Sequence, residues 1–213
     1  MTGHHINKHL DCSHILRQPC MYPDESSVSK LVSDMAAVTP PSISIRRARP
    51  QDVASVAELG AHVFSITFGH SVSPQQLQAY LSESYSIPAT AKDVADPMKD
   101  MIVVTSQDGA IVGFALLTRG TSEPCIAHLE STIELQRIYV HPTYHGNGVG
   151  KILAKKLEDI AKEQGFKYIW LGVWEENYKA QKVYERLGYR VVGDHGFTIG
   201  EVVQTDHIMV KEL

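Results

Sequence analysis

The chain of 213 residues lacks any run of about 18 uncharged apolar residues, so no segment reads as a membrane-crossing helix. It also lacks a basic surplus. Twenty Lys and Arg stand against 24 Asp and Glu, a net charge of −4, which excludes a strongly basic nucleic-acid binder. Cysteine is scarce: Cys12, Cys20 and Cys125 form neither a CxxC pair nor an even-numbered framework. With no secretory apolar stretch after Met1, this usage predicts a reducing, cytoplasmic setting. His4, His5, His9 and His14 cluster near Cys12 and Cys20, but their spacing matches no zinc signature, and no metal is expected. What is present is 43% hydrophobic and 21% charged residues, the composition of a globular protein with a real core.

Residues 1–42 show no sustained period of 2 or 3.6 and end in Thr39-Pro40-Pro41-Ser42, which predicts a poorly ordered extension, with at most a short helix over 28–37. From Ile43 the pattern sharpens. A strand at 43–48 precedes a helix opened by Pro50 and Asp52 and running to Phe68. Ser73-Pro74 opens a second helix. Strands at 101–105 and 110–118 flank the turn signal Asp108-Gly109, and IELQRIYV at 133–140 is a further strand. Apolar residues from Val149 to Ala161 recur at helical spacing up to Gly165. A strand at 166–173, a helix at 177–187 and strands near 189–192 and 205–210 complete the chain. The order β-α-α-β-β-β-α-β-α-β-β predicts one mixed α/β domain over residues 43–213.

The segment HGNGVGK, His145-Gly146-Asn147-Gly148-Val149-Gly150-Lys151, joins a strand to a helix. Glycines there let backbone amides approach an anion at a helix N-terminus, and a pyrophosphate is the natural guest. A Walker loop would need Gly at His145 and Ser or Thr at Ile152, and a dinucleotide fingerprint would need Gly at Lys151. Both fail. What remains resembles motif A of the GNAT N-acetyltransferase superfamily, Arg/Gln-x-x-Gly-x-Gly/Ala, with Gly148 and Gly150 in register and His145 where Arg or Gln is usual. YIWLGVWEENYKAQKVYERLGY, residues 168–189, resembles motif B of the same superfamily.

The resemblance implies a mostly antiparallel central sheet of about seven strands flanked by about four helices, with acetyl-CoA as cosubstrate. It implies that Ile138, Tyr139 and Val140 pair with the pantetheine amides as an added strand would, and that the loop at 145–151 holds the pyrophosphate. It makes Asn177 a contact of the pantetheine or the substrate, where the residue also suits a helix N-cap. Tyr184, seven residues on, matches the tyrosine that protonates the departing thiolate, against core packing on an amphipathic helix. Glu134 stands where a carboxylate often serves as general base, against a solvated strand end. Strand alternation puts Glu134 and Gln136 on one face, Leu135 and Arg137 on the other. Trp170 and Trp174 read as core, while Phe64, Phe68 and Tyr80 come from helices that wall the acceptor site in this family.

ESYS at 83–86, YIWLGVWE at 168–175 and the C-terminal run GDHGFTIGEVVQTDHIMVKEL resemble the PaiA-type polyamine N-acetyltransferases. A polycationic acceptor wants acidic lining, and Glu83, Glu130, Glu134, Asp194, Glu201 and Asp206 are available. The expected activity is acetyl transfer to a small primary amine, with neither nucleic acid nor membrane as partner. A protein or small-amine-antibiotic acceptor, a non-catalytic acyl-CoA-binding domain, and a homodimer all stay open.

Overall fold

The computed structural model describes residues 43–213; the extension read over 1–42 lies outside the described residues. The elements are β1 (Ser44–Arg47), α1 (Val53–Phe68), α2 (Pro74–Ser84), α3 (Ile87–Ala95), β2 (Lys99–Thr105), β3 (Ile111–Thr118) and β4 (Thr132–Val140). They continue with α4 (Val149–Glu163), β5 (Tyr168–Trp174), α5 (Tyr178–Arg186), β6 (Arg190–Ile199) and β7 (Val202–Glu212). The seven strands form one sheet in the order β1-β2-β3-β4-β5-β7-β6. Every neighbouring pair is antiparallel except β4 with β5. The mixed, mostly antiparallel sheet is therefore as expected, and α3 adds a helix to those read from the sequence.

Strand alternation splits the core into two layers. Ile102 and Val104 of β2, with Ala115 and Leu117 of β3, pack with Val149, Leu153 and Leu157 of α4. Met101 and Val103, with Phe114 and Leu116, pack with Val56, Leu59 and Val63 of α1. The helices start where capping chemistry allows. Ser73 accepts from the Gln76 amide, and Pro74 sits where no amide is needed. Ser86 and Pro88 repeat that signature for α3, with the Ser86 hydroxyl accepting from the Ala89 amide. The signal for α3 was thus present in the sequence.

The register of β4 against β3 breaks at one place. Leu116 faces Arg137 and Leu117 faces Leu135, so Gln136 is an extra residue, a β-bulge. The bulge corrects the simple alternation. Ile133 and Leu135 lie in the α4 layer, whereas Arg137 turns to the other side, where its guanidinium pairs with Asp93 of α3 at 2.7 Å and lies over the Tyr85 ring. Gln136 accepts from the Thr118 hydroxyl at 2.9 Å.

At the far edge, Asp100 of β2 gathers four segments. It pairs with Arg47 of β1 at 2.5 Å, with Arg119 just after β3, and with the Gln164 amide at 2.7 Å, beyond the last turn of α4. Among the described residues no helix is long and apolar enough to cross a membrane.

Candidate functional site

The parallel pairing of β4 with β5 is short. It covers Thr132, Ile133 and Glu134 against Tyr168, Ile169 and Trp170, and then stops. Strand β5 instead stays paired with β7 up to Trp174, while β4 stays paired with β3 up to Val140. Beyond Glu134 the two central strands therefore splay apart, and the β5-facing edge of β4 is left for another partner. Backbone direction says which groups line it. The His141 amide donates to the Val112 carbonyl at 2.9 Å, so His141 faces β3. Because backbone groups alternate sides along a strand, Tyr139 also faces β3, and the amides and carbonyls of Ile138 and Val140 face the gap.

The loop after β4 delivers the chain to α4. Gly146 (φ 82°) and Gly148 (φ 77°) are both left-handed, a conformation that glycine adopts without strain. Gly148 is the N-cap of α4 and offers no side chain, so the amides of Val149, Gly150 and Lys151 have no intrahelical acceptor. Val149 is buried as the anchor of this turn, and Asn147, Gly148 and Lys151 are exposed around it. His145 turns back: its Nε2 lies 2.9 Å from the Val140 carbonyl, to which it donates. The amides of His145 and Asn147 are spent inside the turn, on the carbonyls of Pro142 and Tyr144. The anion-facing part of the segment is thus the first turn of α4, with Gly146 and Gly148 shaping the approach.

Asn177 caps α5, its Oδ1 accepting from the Ala180 amide at 3.2 Å. Tyr184 is buried in the α4 layer, its ring 5.7 Å from that of Tyr189 in an edge-on contact. Burial, with a contribution from nearby Tyr139, raises the Tyr184 hydroxyl well above the ordinary tyrosine range. It therefore keeps its proton at neutral pH, as a proton donor must. Glu134 sits at the last paired position before the strands splay. Burial raises its carboxyl above the ordinary range, and the Glu123 charge adds to that.

On the face opposite α4 an aromatic wall covers the splayed end. Phe64 stacks on Tyr80 at 4.6 Å between centroids, and Phe68 lies 5.4 Å from Trp174. Tyr139 donates to or accepts from the Tyr85 hydroxyl at 2.5 Å, and burial pushes its own hydroxyl up to about 12. Trp170 and Trp174 are both buried, as read from the sequence. Asp206 of β7 stands directly across from Trp174. No signal in the sequence set this residue apart from the other acidic candidates, four of which (Glu83, Glu130, Asp194 and Glu201) are exposed. Among the described residues no three His, Cys, Asp or Glu are grouped to hold a metal.

The splayed central strands thus leave an open strand edge beside a glycine-shaped, anion-facing helix start, the makings of a site for an extended anionic ligand. The chain belongs to the acetyltransferase (GNAT) family, whose family model matches residues 70–189. An N-acetyltransferase of Mycobacterium tuberculosis is 30% identical over 162 residues, 76% of this chain and 98% of that protein. The spermidine N(1)-acetyltransferase of Thermoplasma acidophilum is 22% identical over 174 residues, 80% of this chain and 98% of that one. The crystal structure of the PaiA N-acetyltransferase from Thermoplasma acidophilum in complex with coenzyme A superposes with a TM-score of 0.66. It is 23% identical and covers 81% of this chain and 99% of its own.

Proposed function

We propose that this chain is a cytoplasmic enzyme that transfers the acetyl group of acetyl-CoA to a primary amine, a polyamine by preference, within a ternary complex. The observation that carries the reading is the unpaired edge of β4 beyond Glu134, whose Ile138 and Val140 pack against the same core cluster that holds the buried Tyr184. In this reading the first-turn amides of α4 hold the pyrophosphate, and Ile138 and Val140 pair with the pantetheine amides. Asn177, at the cap of α5, flanks the same arm.

An alkylammonium near pKa 10 is no nucleophile until it loses a proton. Glu134 takes that proton through water. The free amine attacks the thioester carbonyl, and a β4 amide of Ile138 or Val140 stabilises the oxyanion. As the C–S bond breaks, Tyr184 donates its proton to the thiolate, and the products are the N-acetylated amine and coenzyme A. The fold of the coenzyme A-bound PaiA structure and the named activity of the spermidine acetyltransferase support the cosubstrate and the acceptor class.

The loop part of the reading predicts that Gly148→Val weakens acetyl-CoA binding about 5–30-fold. An L side chain held left-handed costs roughly 1–2 kcal/mol, and binding must hold the loop there. No atom lies within 4 Å of a Cβ placed at Gly148, so the change meets no clash and its cost is the left-handed backbone alone. Calorimetry with acetyl-CoA reads the effect, and unchanged affinity refutes the loop assignment.

The acceptor part is tested by thiol release from acetyl-CoA with spermine, a monoamine and a lysine peptide at two salt concentrations. Spermine should have the highest kcat/KM, and that value should fall as salt rises, because exposed charges are screened beyond about 8 Å at physiological ionic strength. A better monoamine or peptide, or a spermine value indifferent to salt, removes the polyamine and leaves the acetyltransferase.

A further inference from the structure

We infer that Asp206 is the carboxylate that holds the ammonium group of the acceptor amine, on the sheet face opposite α4. The inference rests on the N-acetyltransferase reading above and singles out, from six acidic candidates for the acceptor lining, the one that holds the ammonium.

The argument begins with pairing. Asp206 is opposite Trp174 on β5 and His195 on β6, so its side chain shares a face with both. Along β5 that same face carries Trp170, Gly172 and Trp174. Gly172 is exposed between the buried Leu171 and Val173, in the interior of a central strand. Its missing side chain leaves an opening, and the Asp206 carboxylate closes one wall of it: a Cβ on Gly172 would lie 3.3 Å from Oδ2. The opening lies on the stretch of β5 from which β4 has already separated.

One oxygen of that carboxylate lacks a partner. Oδ1 of Asp206 is buried with no hydrogen-bond donor, and two residues earlier on the same strand face Oε1 of Gln204 is also a buried acceptor without a partner. The Gln204 amide, by contrast, donates to the Ser71 hydroxyl at 2.6 Å. Two neighbouring acceptors that lack donors suit a ligand that brings N–H groups. The titratable groups within electrostatic reach of Asp206 are Tyr80 of α2, Tyr139 of β4, Glu175 beyond β5, His195 of β6 and, on the other face of β7, its neighbour His207. His70 lies beyond, against the Trp174 ring at 5.6 Å. No lysine or arginine is among them; Arg137, which acts on Tyr80 and Tyr139, is itself paired with Asp93, and aromatic rings favour a cation. His195 is turned to Glu123, 3.2 Å away, and His207 to Asp194 on the other face, 2.6 Å away.

Burial pushes the Asp206 carboxyl up to about 6, the Glu175 charge adding to the shift and the two histidines opposing it. Ionised Asp206 is thus a strained guest of the free protein, relieved by an incoming cation. Its raised folded pKa means that ionisation lowers stability as pH rises from the unfolded value near 3.9, in full above about pH 6, so Asp206→Asn at pH 7.5 should leave Tm unchanged or raise it. A residue kept for structure would behave in the opposite way.

The test is calorimetry of spermidine with the coenzyme A-saturated protein, run alongside steady-state kinetics. Asp206→Asn should weaken spermidine binding about 10–100-fold and leave coenzyme A affinity unchanged. Wild-type spermidine affinity should fall about tenfold per pH unit below pH 6, and Asp206→Asn should lose that dependence. Glu134→Gln should instead lower kcat with spermidine KM nearly kept. Equal spermidine binding by wild type and Asp206→Asn, absent binding by wild type, or a kcat loss at unchanged KM overturns the inference. Because binding is read without turnover, a protein that binds spermidine through Asp206 yet acetylates nothing would refute the enzymatic reading alone.

Discussion

Tyr184→Phe is expected to lower kcat by about 10–10³-fold while acetyl-CoA affinity changes little. The phenyl ring keeps the edge-on packing on Tyr189 and the place in the α4 layer, so the substitution removes a proton and little else. Burial holds that proton firmly, and Tyr139 adds to the effect, so the hydroxyl reaches the reaction protonated across the whole working pH range. A thiolate leaves without help far better than an alkoxide, which places the loss at or below the usual span for general acids. An interaction made only as the C–S bond breaks shows in kcat and kcat/KM together. Turnover equal to wild type in Tyr184→Phe would assign the residue to the core alone.

The second large effect concerns the fold. Asp100→Asn should cost about 2–3 kcal/mol, a Tm lower by about 4–12 °C. Asp100 is nearly inaccessible and joins β1, the end of β3 and the end of α4 through Arg47, Arg119 and Gln164. Arg47 is largely exposed, which keeps the loss below that of a fully buried pair. Burial works against the ionised form, but Gln164 and the two arginines outweigh it and hold the carboxyl below its usual range. A depressed folded pKa contributes stability above the unfolded value near 3.9, and that stability is lost as pH falls through the folded value. The gap between variant and wild type should therefore be full at pH 7 and shrink in acid. Thermal melts at pH 7 and pH 3 check it; equal melting at pH 7 would show that the network contributes nothing.

Features carried by neighbouring residues were legible in the chain. The glycines at 146 and 148, the helix that follows them and the Asn177 cap depend on local backbone conformation, and a turn of that type demands those residues wherever it occurs. The alternation that separates Ile102 and Val104 from Met101 and Val103 is equally local, which is why the strands could be read, while the sheet class came from the family resemblance. Helix α3 was missed, although Ser86 and Pro88 repeat the signature that opens α2.

The sequence by itself determined the element types, the glycine-shaped start of α4 and the family resemblance carried by its two motifs. Only the tertiary structure decided that Gln136 bulges and sends Arg137 to Asp93, because a bulge arises when two strands distant in sequence settle their register. It likewise decided that β4 parts from β5 after Glu134 and that, of six acidic candidates, Asp206 stands half-buried beside Gly172. Pairing among β4, β5, β6 and β7 sets which side chains meet water and which meet one another. The pairings of β4 with β5 and of β5 with β7 join residues more than thirty positions apart, beyond the reach of any local pattern.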